Sequence, residues 1–306
     1  MRNAYLETLY DLAQKDKRVY AIISDNGAIV YDKYRHDLPK QYINAGISEA
    51  NMVGMAAGMA RRGKIPFAYT IGSFLAYRAY EFIMNDVCLQ NQNVKLVGIG
   101  AGCSYSLLGP SHYSIFDIAA LRPLPNLTIF SPASPMEVRK VVRAAYEIDG
   151  PVYIRLGTNR ESEIYEKAIP FEIGKGIVLR DGRDIALVST GSMARDVLDA
   201  ADELAKVGIH ARVINMHTLK PFDHELLEQA IDDIGRVLTV EDHNVTGGLG
   251  STVSEVIAEY RKPVIFHRLG LTDFSKGYGS YAEVKRQNGI SVEAIVNLVK
   301  ALLVVQ

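Results

Sequence analysis

The segment that most constrains the fold runs from Ile43 to Ala60 and contains a helix with no polar face. After Ser48 it consists mainly of methionine, valine, alanine and glycine. A helix that is apolar on every side is buried, and its small residues allow neighbouring backbones to approach closely. Ser48 is predicted to cap this helix, because its hydroxyl can accept a hydrogen bond from a first-turn N–H.

Glu49 is the first residue of this helix and its one charged side chain. A buried carboxylate without a partner costs a great deal of free energy, so Glu49 needs one. In one interpretation it is an ordinary first-turn acid that interacts with the helix dipole. In the other it exchanges a proton with a buried ring nitrogen. The segment alone leaves both interpretations open.

The length and composition bound the class of protein. A chain of 306 residues predicts two domains, and 48% apolar with 23% charged residues is ordinary for a soluble globular protein. A net charge of −1 gives no indication of nucleic acid or an anionic membrane as partner. Cys88 and Cys103 lack metal-ligand spacing. They suit a reducing cytoplasm and argue against a disulfide framework. No signal peptide and no run of about 20 apolar residues is evident.

Short apolar runs alternate with helical patterns along the whole chain, as in Val19–Ser24, Val94–Ile99 and Ile185–Ser189. This alternation predicts an α/β protein with two doubly wound domains, each a mostly parallel sheet with helices on both faces. Residues 1–160 are predicted to form the first domain, 161–183 a linker and 184–306 the second domain. Ligands of such sheets bind at the carboxyl ends of the strands.

Several residues near those strand ends have two interpretations. Asp25 follows a buried strand, yet by itself it is more typical of a plain turn. His112 ends a glycine-rich loop, where a lone histidine is usually a surface residue. Phe74, Tyr77 and Tyr80 are spaced by three and are predicted to share one helix face, which more often serves core or interface than cofactor. The turn Gly247–Ser251 lacks the lysine of a phosphate loop and is interpreted as close helix packing.

Together, these motifs resemble the transketolase family over essentially the whole chain. The resemblance is carried by Asn44-Ala-Gly-Ile-Ser-Glu49, Phe74 to Tyr80, Gly109-Pro-Ser-His112, Ser189-Thr-Gly-Ser192 and Glu241-Asp-His-Asn244. It implies pyrimidine-binding and C-terminal domains, as in the C-terminal subunit of a split transketolase. The superfamily also holds deoxyxylulose-phosphate synthase and the beta subunits of 2-oxo acid dehydrogenases.

The resemblance implies that the cofactor is thiamine diphosphate. Glu49 matches the glutamate that hydrogen-bonds the aminopyrimidine ring nitrogen, whose protonation activates the cofactor. Phe74 and Tyr77 match positions that pack on the pyrimidine, and Ile71 places an aliphatic side chain at a third such position. Asp25 matches an aspartate near the cofactor.

At the substrate end, His112 matches the histidine that hydrogen-bonds the hydroxyl groups of the donor sugar. Arg2 remains as a match to the residues that hold a sugar phosphate, and Arg160 lies where it could compensate for others. Four further positions of the substrate site differ from the sugar-phosphate transketolases; they are Ile29, Gly100, Leu108 and Thr158. These differences predict that the enzyme does not use the usual pentose phosphates in the usual way.

The Gly-Asp-Gly motif with which the family binds Mg²⁺ and the diphosphate is absent from the 306 residues. The resemblance therefore implies a separate diphosphate-binding transketolase subunit, which would hold Mg²⁺, in an assembly of two of each chain. The predicted reaction transfers a two-carbon ketol unit from a ketose to an aldehyde. The alternatives are a beta-type subunit of a 2-oxo acid dehydrogenase, a deoxyxylulose-phosphate-synthase-like enzyme and a non-catalytic homologue.

Overall fold

The computed structural model describes residues 1–158 and 161–304. The strands, numbered β1 to β12 in chain order, are Val19–Ile23, Tyr42–Asn44, Ile65–Ile71, Lys95–Ile99, Thr128–Phe130, Val152–Leu156, Ile177–Arg180, Ile185–Ser189, Ala211–Asn215, Thr218–Lys220, Arg236–Asn244 and Ile265–Leu271. The α-helices, numbered α1 to α12, are Arg2–Lys15, Asp32–Asp37, Glu49–Ala60, Gly72–Arg78, Tyr80–Phe82, Asp117–Leu121, Pro135–Glu147, Met193–Ala205, His224–Ile234, Leu249–Tyr260, Tyr281–Gln287 and Val292–Val304.

These strands form two sheets. The first has the order β10-β5-β6-β4-β3-β1-β2 and is parallel except for the pairing of β10 with β5. The second has the order β12-β11-β8-β9-β7 and is parallel except for the pairing of β7 with β9. The predicted fold class, α/β with two mostly parallel sheets, is confirmed.

Two short strands differ from the predicted division of the chain. Strand β7 lies inside the predicted linker 161–183 and pairs with β9 of the second sheet. Strand β10 belongs to the second half of the sequence but joins the edge of the first sheet. Both are brief antiparallel edge strands, and such strands are too short to carry a recognisable period. The domain limits themselves stay a prediction.

The two sheets share one apolar core. It joins residues of the first half, such as Met52 and Leu75, to residues of the second half, such as Val188 and Leu249. A second core lies under α1 and α7 on the opposite face of the first sheet. Because each sheet is covered on both faces, its strands read as continuous apolar runs.

A buried ion-pair cluster also joins the two halves. Nε of Arg155 lies 2.9 Å from Oδ2 of Asp117, and its Nη1 lies 3.0 Å from Oδ1 of Asp242. Burial lowers the pKa of Arg155, but the two carboxylates outweigh that effect and hold it above its ordinary value. This guanidinium is therefore a charged link between the first and second sheets.

Within the described residues, Tyr281–Val304 is a stretch long and apolar enough, by length and composition alone, to cross a membrane. The sequence analysis did not identify it. The stretch is divided into α11 and α12, and its Val284, Ile295 and Val299 belong to the core of the second sheet. One side of the stretch thus packs on that core, and neither helix reaches the ~20 residues that a span needs.

Candidate active site

The candidate site lies at the carboxyl ends of β1, β3 and β4, where a parallel sheet ordinarily binds its ligand. Asp25 follows β1, Ile71 ends β3 and Gly100 follows β4. Helix α3, which begins at Glu49, starts after the neighbouring edge strand β2. The topology thus brings together segments that are far apart in the sequence.

Glu49 is buried, with 4% of its surface exposed, at the first turn of α3. Its Oε2 lies 3.3 Å from Nη1 of Arg78, the donor that reaches it among the described residues. Ser48 is the N-cap residue of α3, as predicted, but its hydroxyl accepts no first-turn N–H and donates instead to the carbonyl of Ala45, at 2.8 Å. The start of α3 therefore retains free N–H groups near a carboxylate, an arrangement that stabilises negative charge.

Arg78 also connects Glu49 to the aromatic side of the site. Its guanidinium carbon lies 4.1 Å from the centre of the Phe74 ring, a cation–π contact. The centroid of Phe74 lies 5.1 Å from that of the His112 imidazole. Nδ1 of His112 is 3.0 Å from the hydroxyl of Ser111. The structure thus joins Glu49, Arg78, Phe74 and His112 in one continuous series of contacts.

The predicted single aromatic face is wrong in part. Helix α4 ends at Arg78, so Tyr80 lies beyond a break in the helix. Tyr77 accepts a hydrogen bond from the backbone N–H of Phe116, at 2.9 Å. Burial raises the pKa of Tyr77, and nearby Asp117 adds to the shift, so its hydroxyl is neutral. Tyr77 is therefore anchored to the segment after His112, while Phe74 faces His112.

Ile71 is the last residue of β3 and is buried immediately before α4. Its position next to the helix that carries Phe74 keeps it a candidate for the predicted aliphatic contact. Its side chain is wholly apolar and therefore suits contact with the face of a ring.

Asp25 is held in a left-handed backbone conformation, with φ of 56°. Its N–H donates to Oδ1 of Asn44 at 3.1 Å, and Nδ2 of Asn44 donates to its Oδ1 at 2.9 Å. This reciprocal pair ties the ends of β1 and β2 together. Asp25 thus has a structural partner, and its role near the cofactor stays a prediction.

A cleft of about 320 Å³ is formed mainly by the loop after β4. It is lined by Arg2, Ser104, Tyr105, Ser106, Leu107, Leu108 and Thr158. Arg2, Leu108 and Thr158, which the sequence assigned to the substrate site, therefore line the same cleft. Arg160 lies outside the described residues. Ile29 is 83% exposed and is not part of that lining.

Tyr105 is a residue of this cleft that the sequence analysis missed. Gly100 has φ of +89°, and a Cβ atom built on it would lie 2.2 Å from Cδ2 of Tyr105. The ring of Tyr105 therefore fills the space that a side chain at position 100 would need. Its centroid also lies 6.3 Å from that of His112, so it connects the cleft to the cluster of Glu49, Phe74 and His112.

The turn after β11 is occupied by a carboxylate from the same segment of the chain. Glu241 accepts hydrogen bonds from the N–H groups of Leu249 and Gly250, both at 2.8 Å. Burial raises the pKa of Glu241 to about 7, although these two bonds lower it. A carboxyl group thus occupies the helix N-terminus where a phosphate would bind. This agrees with the interpretation of Gly247–Ser251 as close helix packing.

Within residues 1–158 and 161–304, no group of three or more His, Cys, Asp and Glu side chains could hold a metal ion. The residues that do cluster at the site are one carboxylate, one guanidinium, one imidazole and aromatic rings. Such a set can exchange a proton with a ring nitrogen and hydrogen-bond the hydroxyl groups of a sugar.

Besides Tyr105, the sequence analysis also missed the role of Arg78. Its position four residues after Phe74 places both side chains on one side of α4. The requirement that Glu49 have a cationic partner was the signal that could have identified it.

Comparison with known proteins gives consistent matches. The pyrimidine-binding domain of transketolase matches residues 1–160, and the C-terminal domain of transketolase matches residues 174–295. A subunit of the apulose-4-phosphate transketolase from Actinobacillus succinogenes is 41% identical over 269 residues, covering 87% of this chain and 86% of the relative. A 6-deoxy-6-sulfo-D-fructose transketolase subunit from a Clostridium species is 36% identical over 297 residues, covering 97% and 92%.

Two further comparisons extend these matches. A solved split-gene transketolase, described as an inactive beta4 tetramer, aligns with a TM-score of 0.90 and 38% identity, covering 99% of this chain and 98% of its own. A 1-deoxy-D-xylulose-5-phosphate synthase from Crocosphaera subtropica is 35% identical over 306 residues, covering 97% of this chain and 47% of the relative.

Proposed function

Because this chain belongs to the transketolase family, we propose that it is the catalytic, pyrimidine-binding subunit of a split transketolase. Its cofactor is thiamine diphosphate, and its reaction transfers a two-carbon ketol unit from a ketose donor to an aldehyde acceptor. Its class is that of the transketolase subunits to which it is similar, which are transferases. The active site is shared with a separate diphosphate-binding chain.

The observation that carries this proposal is the buried carboxylate of Glu49, grouped with Phe74 and His112. The residues fit the pyrimidine half of the cofactor, since they offer a carboxylate for a ring nitrogen and apolar surfaces for the ring faces. When bound, thiamine diphosphate supplies the group that stabilises a carbanion. Ile71 and Phe74 exclude water from the ring, and Tyr77 is proposed as a further packing surface.

In this mechanism Glu49 shares a proton with the ring nitrogen of the cofactor. Arg78, 3.3 Å away, orients the buried carboxylate and balances its charge from the solvent-exposed side of the site. His112 hydrogen-bonds the hydroxyl groups of the donor beside the reacting carbon. Its ring is held by Phe74 on one side and by the Ser111 hydroxyl at Nδ1, so Nε2 is the nitrogen left for the substrate.

A partner chain is part of the proposal. The Gly-Asp-Gly motif with which the family binds Mg²⁺ and the diphosphate is absent from the sequence of this chain, and Mg²⁺ would need oxygen ligands. We assign Mg²⁺ and the diphosphate to the partner, in an assembly with two of each chain. The split-gene relative supports this division, since its beta4 tetramer is described as inactive.

The substrate class remains broad. The relatives named for apulose 4-phosphate and 6-deoxy-6-sulfo-D-fructose support a sugar other than the usual pentose phosphates. The residues at Gly100, Leu108 and Thr158 support the same proposal. Free buried thiols at Cys88 and Cys103 support a cytoplasmic location.

A deoxyxylulose-phosphate-synthase-like activity is the second candidate, favoured by the alignment with that enzyme over nearly all of this chain. The two candidates differ in the product, which the name of that relative gives as 1-deoxy-D-xylulose 5-phosphate. An assay that detects 1-deoxy-D-xylulose 5-phosphate separates them.

The experiment that tests the proposal is a calorimetric titration of thiamine diphosphate and Mg²⁺ into this chain, alone and with a candidate diphosphate-binding subunit. We expect tight binding only to the mixture, together with ketol transfer. Tight binding to the chain alone would contradict the shared site. Absence of binding and of transfer in the mixture would favour a non-catalytic homologue.

A further inference from the structure

A loop from the second half of the chain packs against the turn that carries His112. This loop, residues 272–280, connects β12 to α11. The ring of Tyr278 covers Gly109, because a Cβ atom built on that glycine would lie 2.3 Å from Cε1 of Tyr278. Gly109 has φ of +81°, which side chains rarely allow, so both its backbone and this contact require a glycine. The carbonyl of Gly109 accepts a hydrogen bond from the N–H of His112, at 3.0 Å, so Tyr278 covers the residue at which the turn begins.

Further contacts join the 272–280 loop to the segment around His112. They pair Phe274 with Phe116, Gly277 with Tyr113 and Ser275 with Cys103. The first is an edge-to-face contact with ring centroids 5.6 Å apart. The second joins the tyrosine hydroxyl to the glycine carbonyl oxygen, and the third joins the thiol to the serine hydroxyl, both at 3.4 Å. The partners in the first half lie before and after His112 in the sequence, so the loop supports the segment 103–116 along its length.

The 272–280 loop is itself anchored within the second half of the chain. Oδ1 of Asn288 accepts a hydrogen bond from the N–H of Lys276, at 2.9 Å, and Nδ2 of Asn288 donates to the carbonyl of Lys276, at 3.0 Å. Ser280, at the end of the loop, begins α11 with a capping box that it forms with Glu283. Tyr278 therefore extends from a segment that is fixed at two places. Its side chain is 68% exposed and adds little to the apolar core, so its contact with Gly109 can be tested without unfolding the chain.

The turn that carries His112 needs such support. Pro110–His112 is a single turn of 3₁₀ helix, and one such turn has little stability of its own. Its position therefore depends on what packs against it. The imidazole of His112 contacts Phe74 and Ser111, but the backbone beneath it is covered by Tyr278. A displacement of about 1 Å in a group that orients a substrate can cost roughly a hundredfold in rate, so the support of this turn affects the reaction.

We propose that Tyr278 is a positioning residue for His112. The 272–280 loop carries the ring of Tyr278 onto Gly109 and thereby fixes the turn from which His112 reaches the donor sugar. Tyr278 acts through His112 and not by touching the donor. In this way the second half of the chain contributes to the geometry of ketol transfer. The inference rests on the proposed function, in which His112 hydrogen-bonds the hydroxyl groups of the donor.

The test is a double-mutant cycle in the complex of this chain with its diphosphate-binding partner. Tyr278→Ala should lower kcat/KM for the ketose donor by about tenfold to a hundredfold, because His112 is no longer held in place. Tyr278→Phe keeps the ring carbons that cover Gly109 and should restore the value of the unmodified complex. In the background of His112→Ala, Tyr278→Ala should lower kcat/KM by about twofold at most, because the residue through which it acts is gone. A full additional loss in that background, or no loss in Tyr278→Ala itself, would overturn the proposal.

Tyr260→Ala is the matched control. Tyr260 is the last residue of α10, and its hydroxyl donates to Asp232 at 2.8 Å. The control removes the same kind of ring from the second half of the chain and should leave kcat/KM for the donor unchanged. Melting temperatures measure the stability of each variant. Equal losses of activity in Tyr260→Ala and Tyr278→Ala would mean that both act only through stability, and would overturn the positioning role.

Amide hydrogen exchange in the same complex separates this proposal from the proposed function. The N–H groups of His112 and Tyr113 donate to the carbonyls of Gly109 and Pro110. Tyr278→Ala should speed exchange at these two amides by about tenfold or more, because the turn opens more often, and Tyr278→Phe should not. If the unmodified complex transfers no ketol unit but this local change is found, the proposed function fails and the support of the turn by Tyr278 stands. Unchanged exchange in both variants would overturn the positioning role.

Discussion

Nη1 of Arg78 lies 3.3 Å from Oε2 of Glu49, although the two residues are 29 positions apart in the sequence. Glu49 is 4% exposed and Arg78 is 53% exposed at the side chain, so the pair joins the interior of the site to its open side. The guanidinium also lies on the face of Phe74. One cation thereby balances the buried carboxylate and fixes an aromatic ring that borders His112.

Replacing Glu49 by Gln should reduce ketol transfer by about 10²- to 10⁴-fold, because the amide cannot exchange a proton with a ring nitrogen. The variant keeps the size of the side chain, so its circular dichroism and melting temperature should stay close to those of the unmodified protein. The measurement is the transfer rate of the reconstituted complex. Glu81→Gln, an exposed acid in α5 that is bound to Asn85, is the control and should keep full activity. Retention of activity in the Glu49 variant would remove the catalytic assignment.

Replacing Arg78 by Gln should remove the partner of Glu49 and lower the free energy of unfolding by about 1 kcal/mol, a small value because water screens the exposed guanidinium. Activity should fall more than stability, since the carboxylate loses its orientation. Arg78→Lys keeps the charge but loses the planar stacking on Phe74, and it should recover only part of the activity. Chemical denaturation and transfer rates measure the two effects. Full activity in both variants would mean that the ion pair has no role in orienting Glu49.

Replacing Arg155 by Met should lower the free energy of unfolding by roughly 3–5 kcal/mol, because Asp117 and Asp242 would become buried charges without a partner. Urea denaturation measures this change. Arg139→Met provides the control, since Arg139 pairs with Glu7 at the surface and should cost less than about 1 kcal/mol.

We attribute the expected loss of stability in Arg155→Met to the unbalanced charges of Asp117 and Asp242 rather than to lost packing. Adding Asp117→Asn and Asp242→Asn to Arg155→Met should therefore recover part of the stability. If the triple variant is less stable than the single one, the packing of the guanidinium and not its charge dominates.

Replacing His217 by Gln should make the free energy of unfolding depend less on pH under acidic conditions. His217 is fully buried and stacks on Phe171, with ring centroids 4.6 Å apart. Burial lowers its pKa from 6.5 to about 4, although Asp223 raises it. Between pH 6.5 and 4 the unfolded chain therefore binds a proton that the folded chain does not. The free energy of unfolding falls over that range by about 3 kcal/mol for this one group.

The measurement for His217 is the free energy of unfolding at several pH values, for the unmodified chain and the variant. Subtracting one curve from the other gives the contribution of His217 alone. It removes groups that stabilise the fold as the pH falls, such as Glu137, whose pKa burial raises to about 7. We expect parallel curves above pH 7 and a shallower decline in the variant below it. Parallel curves over the whole range would show that His217 has the same pKa in the folded and unfolded states, so that burial does not lower it.

The strands that form the sheet interiors could be predicted from the sequence, because a parallel strand covered on both faces is a continuous apolar run. Val19–Ile23 and Ile185–Ser189 are such strands. The edge strands Tyr42–Asn44, Ile177–Arg180 and Thr218–Lys220 were not predicted. They are short and border only one neighbour, so their conformation depends on pairing more than on their own residues.

For the candidate site, the sequence determined which residue types were available and where the chain reversed direction. It indicated that Glu49 would be buried and would need a partner, because the helix that follows has no polar face. Only the tertiary structure decided that Arg78 is that partner, that Tyr105 covers Gly100 and that Arg155 joins Asp117 to Asp242. The physical reason is that the apolar character of a segment and the spacing of its apolar residues are local properties, which can be read from the sequence. Ion pairs and contacts between distant residues depend on the path of the backbone, which is fixed only when the sheets and helices pack together.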